Sequence, residues 1–165
     1  MPKYRPALLF ALAVTLTAWC GPTAVARAES SAAVVFVCEH GNAKSLIAAQ
    51  LFNREAIRRR SPLRAVARGV RPEPGLPSAV EVGLKRDGLN AAGFRATGVS
   101  RPESAAARRV VAINLEPADV MTLGGRADSW TGMPAVSENY ALARDALKAR
   151  VQTLLDELAQ SSARR

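Results

Sequence analysis

Apolar positions in this 165-residue chain follow two periodicities, and the change from one to the other marks its elements. Val34-Val35-Phe36-Val37 is a continuous apolar run of strand length, stopped by Cys38 and the polar stretch Glu39-His40-Gly41-Asn42-Ala43. From Ser45 to Ile57 the spacing becomes helical. Ile47, Ala48, Leu51 and Phe52 share one face, and Gln50, Asn53, Arg54 and Glu55 share the other. Ser61-Pro62 ends that helix, Leu63 to Val70 alternates as a second strand, and Pro72-Glu73-Pro74-Gly75 is a turn-rich connection. Pro77-Ser78 starts a second helix, which carries Val80 and Leu84 and stops near Asp87-Gly88.

Asn90 to Ser104 reads as a loop, with one helical turn near Glu103 to Ala107, and Val110-Val111-Ala112-Ile113 is a further buried strand. Leu123 to Val136 holds Gly124, Gly125, Gly132 and Pro134 and is expected to be a loop with at most a short strand. Ser137 is the expected cap of the last helix, in which Leu147, Val151, Leu154, Leu155 and Leu158 keep helical spacing; residues 161–165 are expected to fray. Strands alternating with helices predict one doubly wound α/β domain, its mostly parallel sheet covered by helices on both faces.

The residues before the first strand do not fit that domain. Lys3 and Arg5 precede an apolar run from Ala7 to Ala18, and Ala26-Arg27-Ala28 has the small-x-small form of a cleavage site. Residues 1–28 are therefore expected to be a secretory signal, with the domain at 29–160 exported to a periplasmic or extracellular compartment. The apolar core is short for a bilayer span and ends at Gly21-Pro22, which argues against a retained anchor. Trp19 before Cys20 argues against a lipoprotein signal.

Charge and cysteine content narrow the chemistry. Residues 1–28 carry Lys3, Arg5 and Arg27 and no acid, so the remainder holds 20 bases against 14 acids, a net charge of +6. Arginines at 58, 59, 60, 64, 68 and 71 favour anionic partners, although those at 58–60 also complement a helix C-terminus. No aromatic interleaving or nucleic-acid motif accompanies them, so DNA and RNA are not expected partners. With Cys20 in the signal, Cys38 is a lone thiol. It is then a reactive group, a point of intermolecular pairing or a buried small hydrophobe.

Its setting favours reactivity. A thiol at the carboxyl end of a strand, before a polar loop and a helix start, lies where open α/β sheets bind ligands. Amides from Glu39 to Lys44 can form an anion nest, the helix N-terminus adds positive potential, and Lys44 adds a full charge. A hydrogen bond from Ser45 would favour the thiolate, the form that attacks a tetrahedral oxyanion. The run from Cys38 to Ser45 also resembles a P-loop, but Cys38 and Ala43 replace its two glycines and no acid ends the strand at Val110 to Ile113. His40 is the only histidine, too few for a histidine-based metal site.

These residues resemble the low-molecular-weight protein tyrosine phosphatases and the related thioredoxin-coupled arsenate reductases, whose loop is Cys-(x)5-Arg-Ser. Cys38 and Ser45 match its ends. Ala67-Arg68-Gly69 looks like the family's second strand end, Pro77 to Val80 its second helix start, Val110 to Leu115 its third strand, and Trp130 to Ala135 its acid loop. The resemblance implies a four-stranded parallel sheet in a single three-layer domain. It also implies phosphate monoester hydrolysis through a cysteinyl-phosphate, with Cys38 as nucleophile, Ser45 as thiolate stabiliser and residues 39–44 as oxyanion cradle. No metal or cofactor is implied; the partner is a phosphorylated substrate or a small oxyanion such as phosphate or arsenate.

Three positions depart from the family. Lys44 stands at the arginine, without its planar fork. Gly41 stands where asparagine is usual, with Asn42 following it. Met133 precedes Pro134 where an aspartate donates a proton, leaving Asp128 as the candidate acid and Glu138 behind it. These departures open a second reading, an oxyanion-binding or protein-interaction module with impaired catalysis. Arsenate reduction would need an external thiol, since no further cysteine remains after Cys38.

Overall fold

The computed structural model describes residues 33–89, 91–124 and 127–164. The expected signal segment and Cys20 lie outside the described residues. Four parallel strands, β1 (Val34–Cys38), β2 (Ala65–Gly69), β3 (Arg109–Ile113) and β4 (Ala127–Trp130), form one sheet in the order β2-β1-β3-β4. The helices are α1 (Lys44–Arg58), α2 (Ser78–Arg86), α3 (Arg101–Ala106), α4 (Pro117–Thr122) and α5 (Tyr140–Ala163).

Because neighbouring side chains of a strand point to opposite faces, β1 supplies both halves of the core. Val34, Phe36 and Cys38 face the cluster built by α1, α2 and α5. Val35 and Val37 face a smaller cluster completed by Val110, Ala112 and Leu123, with Val120 of α4 packed against it. Every residue of β1 is buried, which explains why its sequence is continuously apolar instead of alternating. Phe36 meets Phe52 of α1 edge-on at 6.0 Å between ring centroids, and Trp130 of β4 at 5.6 Å. The expected three-layer arrangement is thus the observed one.

Three local expectations are corrected. Asn139, not Ser137, caps α5: its side chain accepts a hydrogen bond from the Leu142 amide at 2.9 Å. The helix runs on through Ala163, so Ser161 to Ala163 are helical instead of frayed, and the Ser161 and Ser162 hydroxyls bond back to Glu157 and Leu158 carbonyls. Helix α4 was not anticipated, although Pro117 at its start is a helix-opening residue.

The sheet order fixes where a ligand can sit. From β1 the chain crosses through α1 to β2 on one side, while β3 lies on the other, so the winding reverses between β1 and β3. The crevice at such a reversal, beyond the carboxyl ends of the strands, is the binding position of open α/β sheets. Cys38 is the last residue of β1.

Candidate active site

The loop 39–43 is shaped by the connection after β2. The carbonyls of Cys38, Glu39 and His40 accept from the amides of Val70, Arg71 and Glu73 at 3.2, 2.9 and 3.1 Å. In a trans peptide unit the amide points opposite to the carbonyl. The amides of Glu39, His40 and Gly41 are therefore turned away from the 70–73 segment. Among the described residues, none of the amides from Glu39 to Lys44 donates to a protein acceptor. Helix α1 adds to this: Ala43 at its N-cap offers no side-chain bond, and its first turn carries no acid. An uncapped helix start beside several free amides suits an anion.

Gly41 makes the turn possible with φ of +75°, a conformation that costs L side chains energy. Asn42 is buried, and its side-chain amide donates to the carbonyls of Gly75 at 3.0 Å and Glu73 at 3.4 Å. The asparagine one position after the usual place thus still ties the loop to its neighbour. Cys38 Sγ lies 3.1 Å from Ser45 Oγ, and both residues are buried. Lys44 is partly buried at the start of α1, and among the described residues its ammonium faces no carboxylate partner.

The rim is charged. Glu39 Oε1 lies 3.2 Å from Arg71 Nη2, and Arg71 holds Asp119 of α4 with two bonds of 3.0 Å. The Asp119 and Glu39 carboxylates push the Arg71 guanidinium further up, and Arg71 holds the Asp119 carboxyl below the usual carboxylate range. His40 Nε2 stands 3.4 Å from Glu73 and 3.8 Å from Glu39. Arg71 and Asp119 carried no sequence signal for this role, because they lie 48 positions apart and meet only through the fold.

Two expected acid positions are placed elsewhere. Asp128 pairs in register with Val111, which pairs with Phe36, so it lies level with a residue two before the thiol and two strands across the sheet. There it stands 3.7 Å from Arg109. The structure does not bring Asp128 to the loop. Glu138 lies in the turn before α5, where Asn139 takes the cap.

Met133 is buried, and its backbone is held by Asn114, the residue just after β3. Asn114 donates to the Met133 carbonyl at 2.7 Å and accepts from the Met133 amide at 3.0 Å, while its own amide bonds to the Trp130 carbonyl at 2.9 Å. Its φ of +49° is one that asparagine tolerates better than most residues. Sequence reading passed over Asn114; a polar residue ending an apolar strand was the available signal.

Among the described residues no group of three histidine, cysteine, aspartate or glutamate side chains is placed to share a metal ion, and no helix is long and apolar enough to cross a membrane.

No protein-family model and no curated protein sequence matches the chain. Solved structures do match its architecture. YfkJ from Bacillus subtilis is 16% identical, with a TM-score of 0.69 over 80% of this chain and 97% of that one. A low-molecular-weight phosphotyrosine phosphatase from Vibrio cholerae O395 is 13% identical, with a TM-score of 0.67 over 78% of this chain and 97% of that one. A thioredoxin-dependent arsenate reductase from Corynebacterium glutamicum is 19% identical, with a TM-score of 0.61 over 81% of this chain and 65% of that one. The chain therefore has the fold of low-molecular-weight phosphatases and arsenate reductases, carried by a divergent sequence.

Proposed function

We propose that the protein is an exported phosphatase-like hydrolase that binds phosphate or a related oxyanion at residues 38–45 and cleaves phosphate monoesters, phosphotyrosine-like ones included, through Cys38. The observation that carries this reading is the 3.1 Å contact between Cys38 Sγ and Ser45 Oγ beside amides that no protein acceptor uses. A hydroxyl donating to sulfur favours the thiolate, and free amides with the α1 N-terminus accommodate the phosphoryl oxygens.

In the first step the Cys38 thiolate attacks phosphorus, an S–P bond forms, and the bond to the ester oxygen breaks. The leaving oxygen takes its proton from solvent, since Met133 offers none and Asp128 stands away from the loop. Water then attacks the phosphocysteine, the S–P bond breaks, and inorganic phosphate leaves with the thiolate restored. Lys44 stabilises the charge as a point cation without gripping two oxygens at once. Aryl phosphates, whose leaving groups need least protonation, are the expected substrates.

The test is hydrolysis of an aryl phosphate by reduced protein across a broad pH range, with quenching to trap phosphocysteine and Cys38→Ser as the control. Absence of both turnover and trapped intermediate removes this reading. Met133, buried where the resembled family carries its acid, favours a second one, an oxyanion-binding module that has lost the chemistry. Tight vanadate or phosphate binding without turnover supports that reading, and absence of binding removes it. Export rests on residues 1–28; cell fractionation of the tagged chain tests it.

A further inference from the structure

The end of the sheet opposite Cys38 is basic, and its arginines come from three separate places in the chain. Helix α1 runs back against the strands and delivers Arg58, Arg59 and Arg60 there, Arg64 immediately precedes β2, and Arg108 immediately precedes β3. Backbone bonds gather them around the start of β1: the Val34 amide donates to the Arg64 carbonyl at 3.2 Å, and the Arg108 amide donates to the Ala33 carbonyl at 3.0 Å. The end of α5 closes the surface, with Arg108 donating to Ser162 Oγ at 3.0 Å.

Two of the carboxylates near this pole are committed to arginines, while exposed Glu157 of α5 lies to one side, beside Arg109. Glu55 is shared between Arg58 and Arg59, and Asp156 bonds to Arg59. Arg60, Arg64 and Arg108 have no carboxylate partner among the described residues; Arg64 bonds only to the nearby carbonyls of Ser61 and Leu63. All three are exposed. Among them stands Ile57, a large apolar side chain 62% exposed on the last turn of α1, with exposed Pro62 beyond it. Free guanidinium groups around an exposed aliphatic side chain suit an interface where anionic headgroups meet acyl chains.

The Ala33 carbonyl, just before β1, lies in the middle of this pole and accepts from the amides of both Arg108 and Arg109, so the arginines are held around one strand end. From these observations we infer that the basic pole of Arg60, Arg64, Arg108 and Ile57 docks the domain on an anionic lipid bilayer. Cys38 ends β1 at the other end of the sheet, so in this orientation the loop faces the aqueous phase, open to soluble substrates.

The experiment is sedimentation of the protein recovered from the exported fraction with phosphatidylcholine vesicles, with and without phosphatidylglycerol, over a range of salt. Neutral vesicles report binding that does not depend on lipid charge. The wild-type chain is expected to bind phosphatidylglycerol vesicles more tightly, with a preference that fades as salt rises. Combined R60Q, R64Q and R108Q should weaken that binding on the order of a hundredfold and leave binding to neutral vesicles unchanged. K85Q, R86Q and R95Q, exposed cations away from the pole, should have little effect. Circular dichroism of each variant verifies that it is folded. No preference for anionic vesicles, or equal loss in the two triple variants, overturns the inference. Retention on heparin or duplex DNA that depends on the same three arginines, without vesicle preference, also overturns it and assigns the pole to a polyanion.

Discussion

Gly41 and Gly69 meet backbone to backbone. A Cβ on Gly41 would lie 2.7 Å from the Gly69 nitrogen, and one on Gly69 would lie 2.8 Å from both the Gly41 nitrogen and the His40 carbonyl carbon. The end of β2 thus serves as a floor against which the loop after β1 is pressed. Gly69→Ala should force the loop outward at a cost of about 1–3 kcal/mol. Gly41→Ala should cost more, since the added methyl must also adopt positive φ. Urea melts give the stability loss, and phosphate titration of the same samples is expected to show weakened binding.

Ser45 Oγ is the side-chain group hydrogen-bonded to the Cys38 sulfur. Losing a hydrogen bond to a charged group costs about 1.5–3 kcal/mol, so Ser45→Ala should slow alkylation of Cys38 by iodoacetamide at neutral pH by about tenfold or more. Turnover should fall with it. An unchanged alkylation rate would mean that the hydroxyl does not support the thiolate.

Asn114 fixes the backbone of residue 133 whatever its side chain. A carboxyl introduced there starts from a held position, and a positioned general acid is worth about 10²–10⁴-fold. Met133→Asp combined with Lys44→Arg should therefore raise aryl phosphate hydrolysis by about 10²-fold or more. Adding Asn114→Ala should take most of that gain away, read from kcat of the three proteins.

Glu55 is held down to about 2 by hydrogen bonds from Arg58 and Arg59. A carboxyl depressed in the folded state stabilises fully above its ordinary value of 4.5, and that contribution is lost as pH falls through 2. Solvent screening at this surface keeps it to about 1 kcal/mol. Glu55→Gln should lower stability at pH 6 by that amount and have little effect near pH 2, measured by urea unfolding at both.

Strands β1, β2 and β3 and the longer, regular helices were legible because burial sets the pattern of apolar residues that form them. The apolar run 34–37 and the face Ile47, Ala48, Leu51 and Phe52 are local consequences of packing. Short elements were less visible. Helix α4 has six residues and none is buried, so no periodic signal marks it. Strand β4 has only four residues and one buried side chain, which left Asp128 looking like a loop acid available to the thiol.

The sequence by itself determined the order of the main elements, the thiol at a strand end and the serine seven residues later. Those are chain-local properties, set by hydrophobic spacing and by residue type. Only the tertiary structure decided that Asn42 ties its loop to the 73–75 segment, that Gly69 floors Gly41, that Asn114 grips Met133 and that Asp128 lies two strands from the site. Each of these pairs residues that are remote in sequence or placed by sheet register. Their proximity follows from strand order, which no local pattern encodes.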